Sequence, residues 1–106
     1  MEATEHLEVV MSLIMHGGDA KGKAVEAIRA AKQYDFELAE AKLKEAHEAL
    51  NTAHRSQTNL LTQEASGDAV AVSLLMVHGQ DHLMTALTFI DLAKELVEVY
   101  RELERK

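Results

Sequence analysis

The chain of 106 residues has no cysteine, no proline and no tryptophan. Without cysteine there can be no disulfide, thiol nucleophile or thiolate metal site, a composition that fits a reducing compartment. Without proline, and with only five glycines, the residues that punctuate tight turns are scarce, which argues against a β-sandwich or barrel. Aromatics are limited to Tyr34, Phe36, Phe89 and Tyr100. Positive charge is also in short supply: 11 Lys and Arg stand against 18 Asp and Glu, a formal net charge of −7. With no basic stripe carrying aromatics, that balance argues against a nucleic-acid partner. Long apolar runs are missing; Leu74 to Val77 is typical, far below the roughly 20 residues that span a bilayer. The first ten residues carry Glu2, Glu5 and Glu8 and neither Lys nor Arg, the wrong sign for a secretory signal. The expectation is a soluble, cytoplasmic protein with no direct membrane insertion.

What is present is a hydrophobic fraction of 47%, supplied mostly by Ala, Leu, Val and Met and sufficient for one core. Apolar residues recur at three-four spacing in three segments. The first runs Leu7, Val10, Ile14, Gly17, Lys21, Ala24, Ile28, Ala31; the second Phe36, Ala39, Leu43, Ala46, Leu50, Ala53, Gln57, Leu60. The third runs Met76, Gly79, Leu83, Ala86, Ile90, Ala93, Val97, Tyr100. Each set lies on one face of a helix. Asp35 is an N-cap candidate after a short turn at Tyr34, Gly67 a stop for the second helix, and Asp68 or Ser73 a cap for the third. The pattern predicts helices over about 3–33, 35–66 and 70–104, with edges good to a few residues. At roughly 1.5 Å per residue each is near 45 Å long, which implies an all-α, up-down-up three-helix bundle forming a single helical domain over 1–106.

Two features do not fit a plain bundle. Gly17-Gly18-Asp19 interrupts the first helix. It is either a break, since an interior Gly costs about 1 kcal/mol against Ala, or a place of close approach, with Gly18 and Gly22 four apart on one face. The third helix also carries a second apolar seam: Leu75, His78, His82, Thr85, Phe89, Leu92, Leu96, Val99 and Leu103. Left in water it would be a long apolar patch, so it predicts self-association with closed symmetry.

Midway along that seam His78, Asp81, His82 and Thr85 stand at i, i+3, i+4 and i+7, one turn above another. Two imidazoles and a carboxylate in an apolar strip cost desolvation energy unless function or hydrogen bonding compensates. The bland reading is a pair of half-buried, satisfied histidines. His6 and His47 fall among charges and are expected to be solvated. His16 beside the glycine pair and His54 near Gln57 could border a site. Gln57 interrupts the second seam among leucines and is either a register device or a donor aimed at the histidine pocket. The Lys- and Glu-rich stretch 37–48 reads as a solvated face.

Three chemistries remain open for the cluster. His-x-x-x-His on a helix can hold zinc, but no glutamate follows the first His as in hydrolytic zinc helices. A metal-binding module of His78, Asp81 and His82, or a purely structural helical assembly, needs no reaction at all. Alternatively one neutral imidazole is a nucleophile that takes up a phosphoryl group and passes it on, which needs an accessible His, donors for phosphoryl oxygens and exclusion of water.

The run Ser73-Leu74-Leu75-Met76-Val77-His78-Gly79-Gln80-Asp81-His82-Leu83-Met84-Thr85 resembles the signature of the IIA components of lactose- and cellobiose-type bacterial sugar phosphotransferase systems. Gly18-Asp19-Ala20-Lys21, and Ala53-His54 through Gln57-Thr58 to Glu64-Ala65, are similar to further stretches of that family, nearer its cellobiose/chitobiose branch. Lys21 departs mildly, because many relatives have Arg there. The resemblance implies a homotrimer of three-helix subunits. It implies that His78 accepts phosphate from the phosphocarrier HPr and donates it to a IIB cysteine, for uptake and phosphorylation of a disaccharide of the cellobiose/chitobiose or lactose type. It implies that Asp81 contributes a carboxylate to a structural divalent metal, Mg being the expected ion, on the threefold axis. Gln80 and His82 match positions near the active groove with a phosphoryl-stabilising role. Physical chemistry agrees on the metal: two carboxylates about 4 Å apart repel by roughly 4 kcal/mol at an effective dielectric near 20, so a cation or a proton must relieve them.

Overall fold

A computed structural model describes residues 6–106. It contains three helices, α1 (Leu7–Lys32), α2 (Phe36–Ala65) and α3 (Leu74–Arg105), and no strand among the described residues. The expected beginning of the first helix, near residue 3, lies outside those residues. The first connection is three residues long. Tyr34 takes a left-handed backbone, φ 59°, and the N–H groups of Gln33, Tyr34 and Asp35 donate to the carbonyls of Ala30 and Ala31. The Asp35 carboxylate then accepts from the Leu38 N–H at 3.2 Å and caps α2.

The second connection departs from the expectation. α2 stops just before Gly67, whose φ of 100° is available to glycine without strain, but α3 begins four residues beyond the predicted 70. Asp68 does not cap it, because its N–H still donates to the Gln63 carbonyl and closes α2. Residues 68–73 run without regular structure. Ser73, in extended conformation, then accepts the Met76 N–H on its hydroxyl at 3.1 Å and starts α3.

The core is made largely of alanine. Leu13, Leu83, Ile90 and Val97 are the largest side chains fully buried; Ala20, Ala24, Ala27, Ala31, Ala39, Ala46, Ala53, Ala86 and Ala93 fill most of the rest. Small side chains let helix axes approach. α1 lies along both other helices, which touch each other much less. Its buried face is therefore broader than the predicted stripe: Leu13, Ala20 and Ala27 join Val10, Gly17 and Ala24, while Leu7 is left exposed.

Gly17 and Gly18 do not break α1, which runs through them. The close approach belongs to Gly17, not to the pair Gly18 and Gly22. A Cβ on Gly17 would stand 3.0 Å from the carbonyl oxygen of His82, whereas Gly18 and Gly22 have nothing within 4 Å. On the opposing helix Gly79 faces the Val10 side chain and backbone, so each helix presents a glycine to the other at this level. The far end of the bundle is tied by ions instead. Lys42 reaches Glu26 at 2.8 Å, and Arg101 reaches Glu40 at 2.7 Å while lying 4.8 Å over the Phe36 ring.

Candidate functional site

α3 turns about 100° per residue. With Gly79, Leu83 and Ala86 against the core, His78 and His82 fall on one flank, Asp81 points away from the core, and Gln80 falls on the other flank. The two imidazoles meet edge to face. Their ring centroids are 4.5 Å apart at 90°, and Nε2 of His78 lies 3.2 Å from Nε2 of His82. His78 is exposed and His82 half-buried. The Nδ1 atom of His82 is buried with no hydrogen-bond partner among the described residues, on the turn of α3 that packs against Gly17 of α1.

That orphaned nitrogen selects a tautomer. A proton on Nδ1 would leave a buried N–H without an acceptor, the less tolerable of the two arrangements. The proton therefore sits on His82 Nε2 and is donated to the lone pair of His78 Nε2. As the acceptor, His78 then carries its own proton on Nδ1 and has its lone pair on Nε2. Thr85 takes no part, since its hydroxyl donates to the Asp81 carbonyl at 2.8 Å.

Gln80 is turned away from His78. It lies across the α2–α3 seam, where Gln57 Nε2 donates to Gln80 Oε1 at 2.6 Å. Gln57 is thus a donor, as one of its two sequence readings had it, but it is aimed at Gln80 and not at the imidazoles. Met84 Sδ lies 3.6 Å from Gln57 Nε2, and Met76 Sδ 3.8 Å from Gln80 Nε2. Sequence reasoning did not single out these two sulfurs, although their positions four residues either side of Gln80 were readable. His47, His54 and Gln57 line a groove of about 230 Å³ between α2 and α3; His47 and His6 are half-buried, less solvated than expected. No hydrogen bond links His16 or His54 to the cluster among the described residues.

The metal-module reading needs correction. Among the described residues no three His, Cys, Asp or Glu side chains gather where they could hold a metal ion, because Asp81 leaves the helix on a different face from the imidazole pair. Asp81 is exposed and forms no ion pair or side-chain hydrogen bond with the described residues. Around it the apolar exposure is wider than the predicted second seam. Leu92 (58%), Val99 (51%) and Leu103 (52%) are open as that seam requires, and Leu74 (88%), Val77 (52%) and Met84 (48%) are open beside Asp81. No helix among the described residues is long and apolar enough to cross a membrane.

Comparison with known proteins gives a consistent picture. Residues 8–101 match the family model described as the lactose/cellobiose-specific IIA subunit of the PTS. The chain is 53% identical over 93 residues to the PTS cellobiose-specific EIIA component of Lactococcus lactis subsp. lactis, covering 88% of this chain and 80% of that protein. It is 49% identical over 90 residues to the lactose-specific EIIA component of Staphylococcus epidermidis, covering 85% and 86%. Its fold is similar to that of IIA(Chitobiose) in the solution structure of its complex with HPr, from the N,N'-diacetylchitobiose branch of the Escherichia coli phosphotransferase system. The TM-score there is 0.80 and the identity 42%, over 92% of this chain and 94% of that one. An all-α bundle with this histidine pair, matched over most of its length, belongs to the lactose/cellobiose-specific IIA family of the sugar phosphotransferase system.

Proposed function

We propose that this chain is a phosphoryl carrier that takes the group from phospho-HPr onto Nε2 of His78 and gives it to a cysteine of a IIB component. The observation that carries the reading is the imidazole pair: the exposed His78, its Nε2 faced at 3.2 Å by His82 Nε2, with His82 Nδ1 buried and unpartnered among the described residues. The His78 lone pair attacks phosphorus, the bond from phosphorus to HPr breaks, and its electron pair stays with HPr. In the second step the IIB thiolate attacks and His78 recovers its lone pair. In the charged state the His82 N–H, no longer needed by a lone pair, donates to a phosphoryl oxygen. The likeness to a IIA solved with HPr supports the choice of donor.

The acting species is a homotrimer packed through α3. The wide apolar face of Leu74, Val77, Met84, Leu92 and Val99 supports it, since an alanine core leaves much apolar surface to be covered elsewhere. Asp81 stands at the middle of that face. Three symmetry-related carboxylates on one axis would hold a divalent cation such as Mg, a fit that a single subunit does not offer. That ion offsets charge and belongs to the assembly, not to the reaction. With Asp81 towards the axis, His78 faces one neighbour and Gln80 the other. Cyclic symmetry then brings the Gln80 of one subunit to the His78 of the next. The protein acts in the cytoplasm in uptake of a disaccharide of the cellobiose/chitobiose or lactose type. Relatives of similar identity carry both sugars' names, and sugar choice resides in the membrane component.

Incubation with HPr, the first phosphotransferase enzyme and phosphoenolpyruvate tests the reading. It should add one acid-labile phosphoryl group per chain, absent in His78→Ala. A label on another residue, or a stable monomer, would overturn it.

A further inference from the structure

Gln57 puts an amide into a seam otherwise made of Ala, Leu and Phe. An apolar residue there would bury surface without the cost of ordering a polar group, so the amide needs a reason. Its only side-chain hydrogen-bond partners among the described residues are Gln80 Oε1 at 2.6 Å and Met84 Sδ at 3.6 Å. The polarity of the Gln57–Gln80 bond is set by its flanks. A thioether sulfur only accepts, and one lies beside each amide: Met84 next to Gln57 Nε2, Met76 next to Gln80 Nε2. Reversing the pair would turn both carbonyl oxygens onto sulfur lone pairs. Gln80 is therefore held with its oxygen on Gln57 and its nitrogen on the other side, beside Met76. Gln80 lines a groove of about 180 Å³ bounded by Leu60, Val70, Val72 and Met76. Apart from the Met76 sulfur, no described acceptor takes a hydrogen from that nitrogen.

From this geometry we infer that Gln57 is a positioning residue for phosphoryl transfer: it locks the Gln80 amide so that an N–H, and not a carbonyl oxygen, meets the phosphoryl group on the next subunit's His78. The inference rests on the reading above that His78 carries the group and that Gln80 serves a neighbour. An unlocked amide would present its oxygen part of the time, and an acceptor facing a phosphoryl dianion repels it.

The test is a double-mutant cycle on the intact assembly, read as the single-turnover rate of transfer from phospho-HPr, with sedimentation and helicity as controls. Gln57→Met keeps the volume and removes the donor; transfer should slow about tenfold. Gln57→Glu keeps a hydrogen bond to Gln80 but demands its N–H, reversing the lock; it should also be slow while remaining assembled. This second variant decides the matter should Gln57→Met fail to assemble. In a Gln80→Leu background neither change should slow transfer further. Wild-type rates in Gln57→Glu, or slowing that multiplies with Gln80→Leu, would overturn the inference. Labelling that survives His78→Ala would overturn the carrier reading instead, so the two failures are distinguishable.

Discussion

Substituting Gly17 by alanine tests the contact that seats the histidine helix. The added Cβ would stand 3.0 Å from the His82 carbonyl oxygen, 3.2 Å from its carbon and 3.4 Å from its Cβ. Ordinary contact begins near 3.4 Å, so α1 and α3 must part locally by about 0.4 Å. The obstacle is backbone and cannot rotate away, and overpacking of this kind costs about 1–3 kcal/mol. Against it stands the helix propensity of alanine over glycine, about 1 kcal/mol. Gly18→Ala gains the same propensity and meets nothing within 4 Å, so the difference between the two variants isolates the clash. Gly18→Ala should raise the urea midpoint, and Gly17→Ala should lie below it by the equivalent of about 1–3 kcal/mol. Protein concentration must be matched, because assembly shifts apparent stability. Equal midpoints would refute the argument that Gly17 is the point of closest approach.

Three further outcomes follow from the same structure. Asp81→Asn should weaken divalent-cation binding and change the stability of the trimer, followed by calorimetry and sedimentation, with His78 labelling largely retained; complete loss of transfer in a still-trimeric variant would contradict a structural role. Ser73→Ala removes the cap on the Met76 N–H and should cost about 1 kcal/mol, with faster amide exchange in the first turn of α3, just before His78. The Lys42 ammonium holds the Glu26 carboxyl below the usual carboxylate range, chiefly by their hydrogen bond, and is itself raised by Glu26. A depressed carboxylate stabilises the fold above its unfolded pKa and loses that contribution as pH falls through its folded value; a raised lysine does so below its unfolded pKa and loses it as pH rises through its folded value. Lys42→Met should therefore flatten the acid side of the stability profile below the ordinary carboxylate range, and an unchanged acid limb would show that the surface pair contributes nothing.

Much of the architecture was readable because helical periodicity is a local property. Met76, Gly79, Leu83, Ala86, Ile90, Ala93 and Val97 are buried as their spacing demands, and Asp35 caps the helix it precedes. The His78–His82 contact was readable for the same reason, since residues four apart share a face. The start of α3 was not, because two polar residues could cap it and the choice depended on how α2 ended.

The amino-acid order alone determined that there are three long helices, the main apolar stripe along α2 and α3, and that two imidazoles share a face midway along the third. Tertiary structure decided the rest. Gly17 and Gly18 are neighbours in the chain but point about 100° apart, and only the rotation of α1 against α3 makes one of them tight and leaves the other open. Likewise nothing local joins Gln57 to Gln80, 23 positions apart. Axial register and rotation between packed helices are set by the sum of many side-chain contacts, and that sum has no counterpart in the periodicity of a single segment.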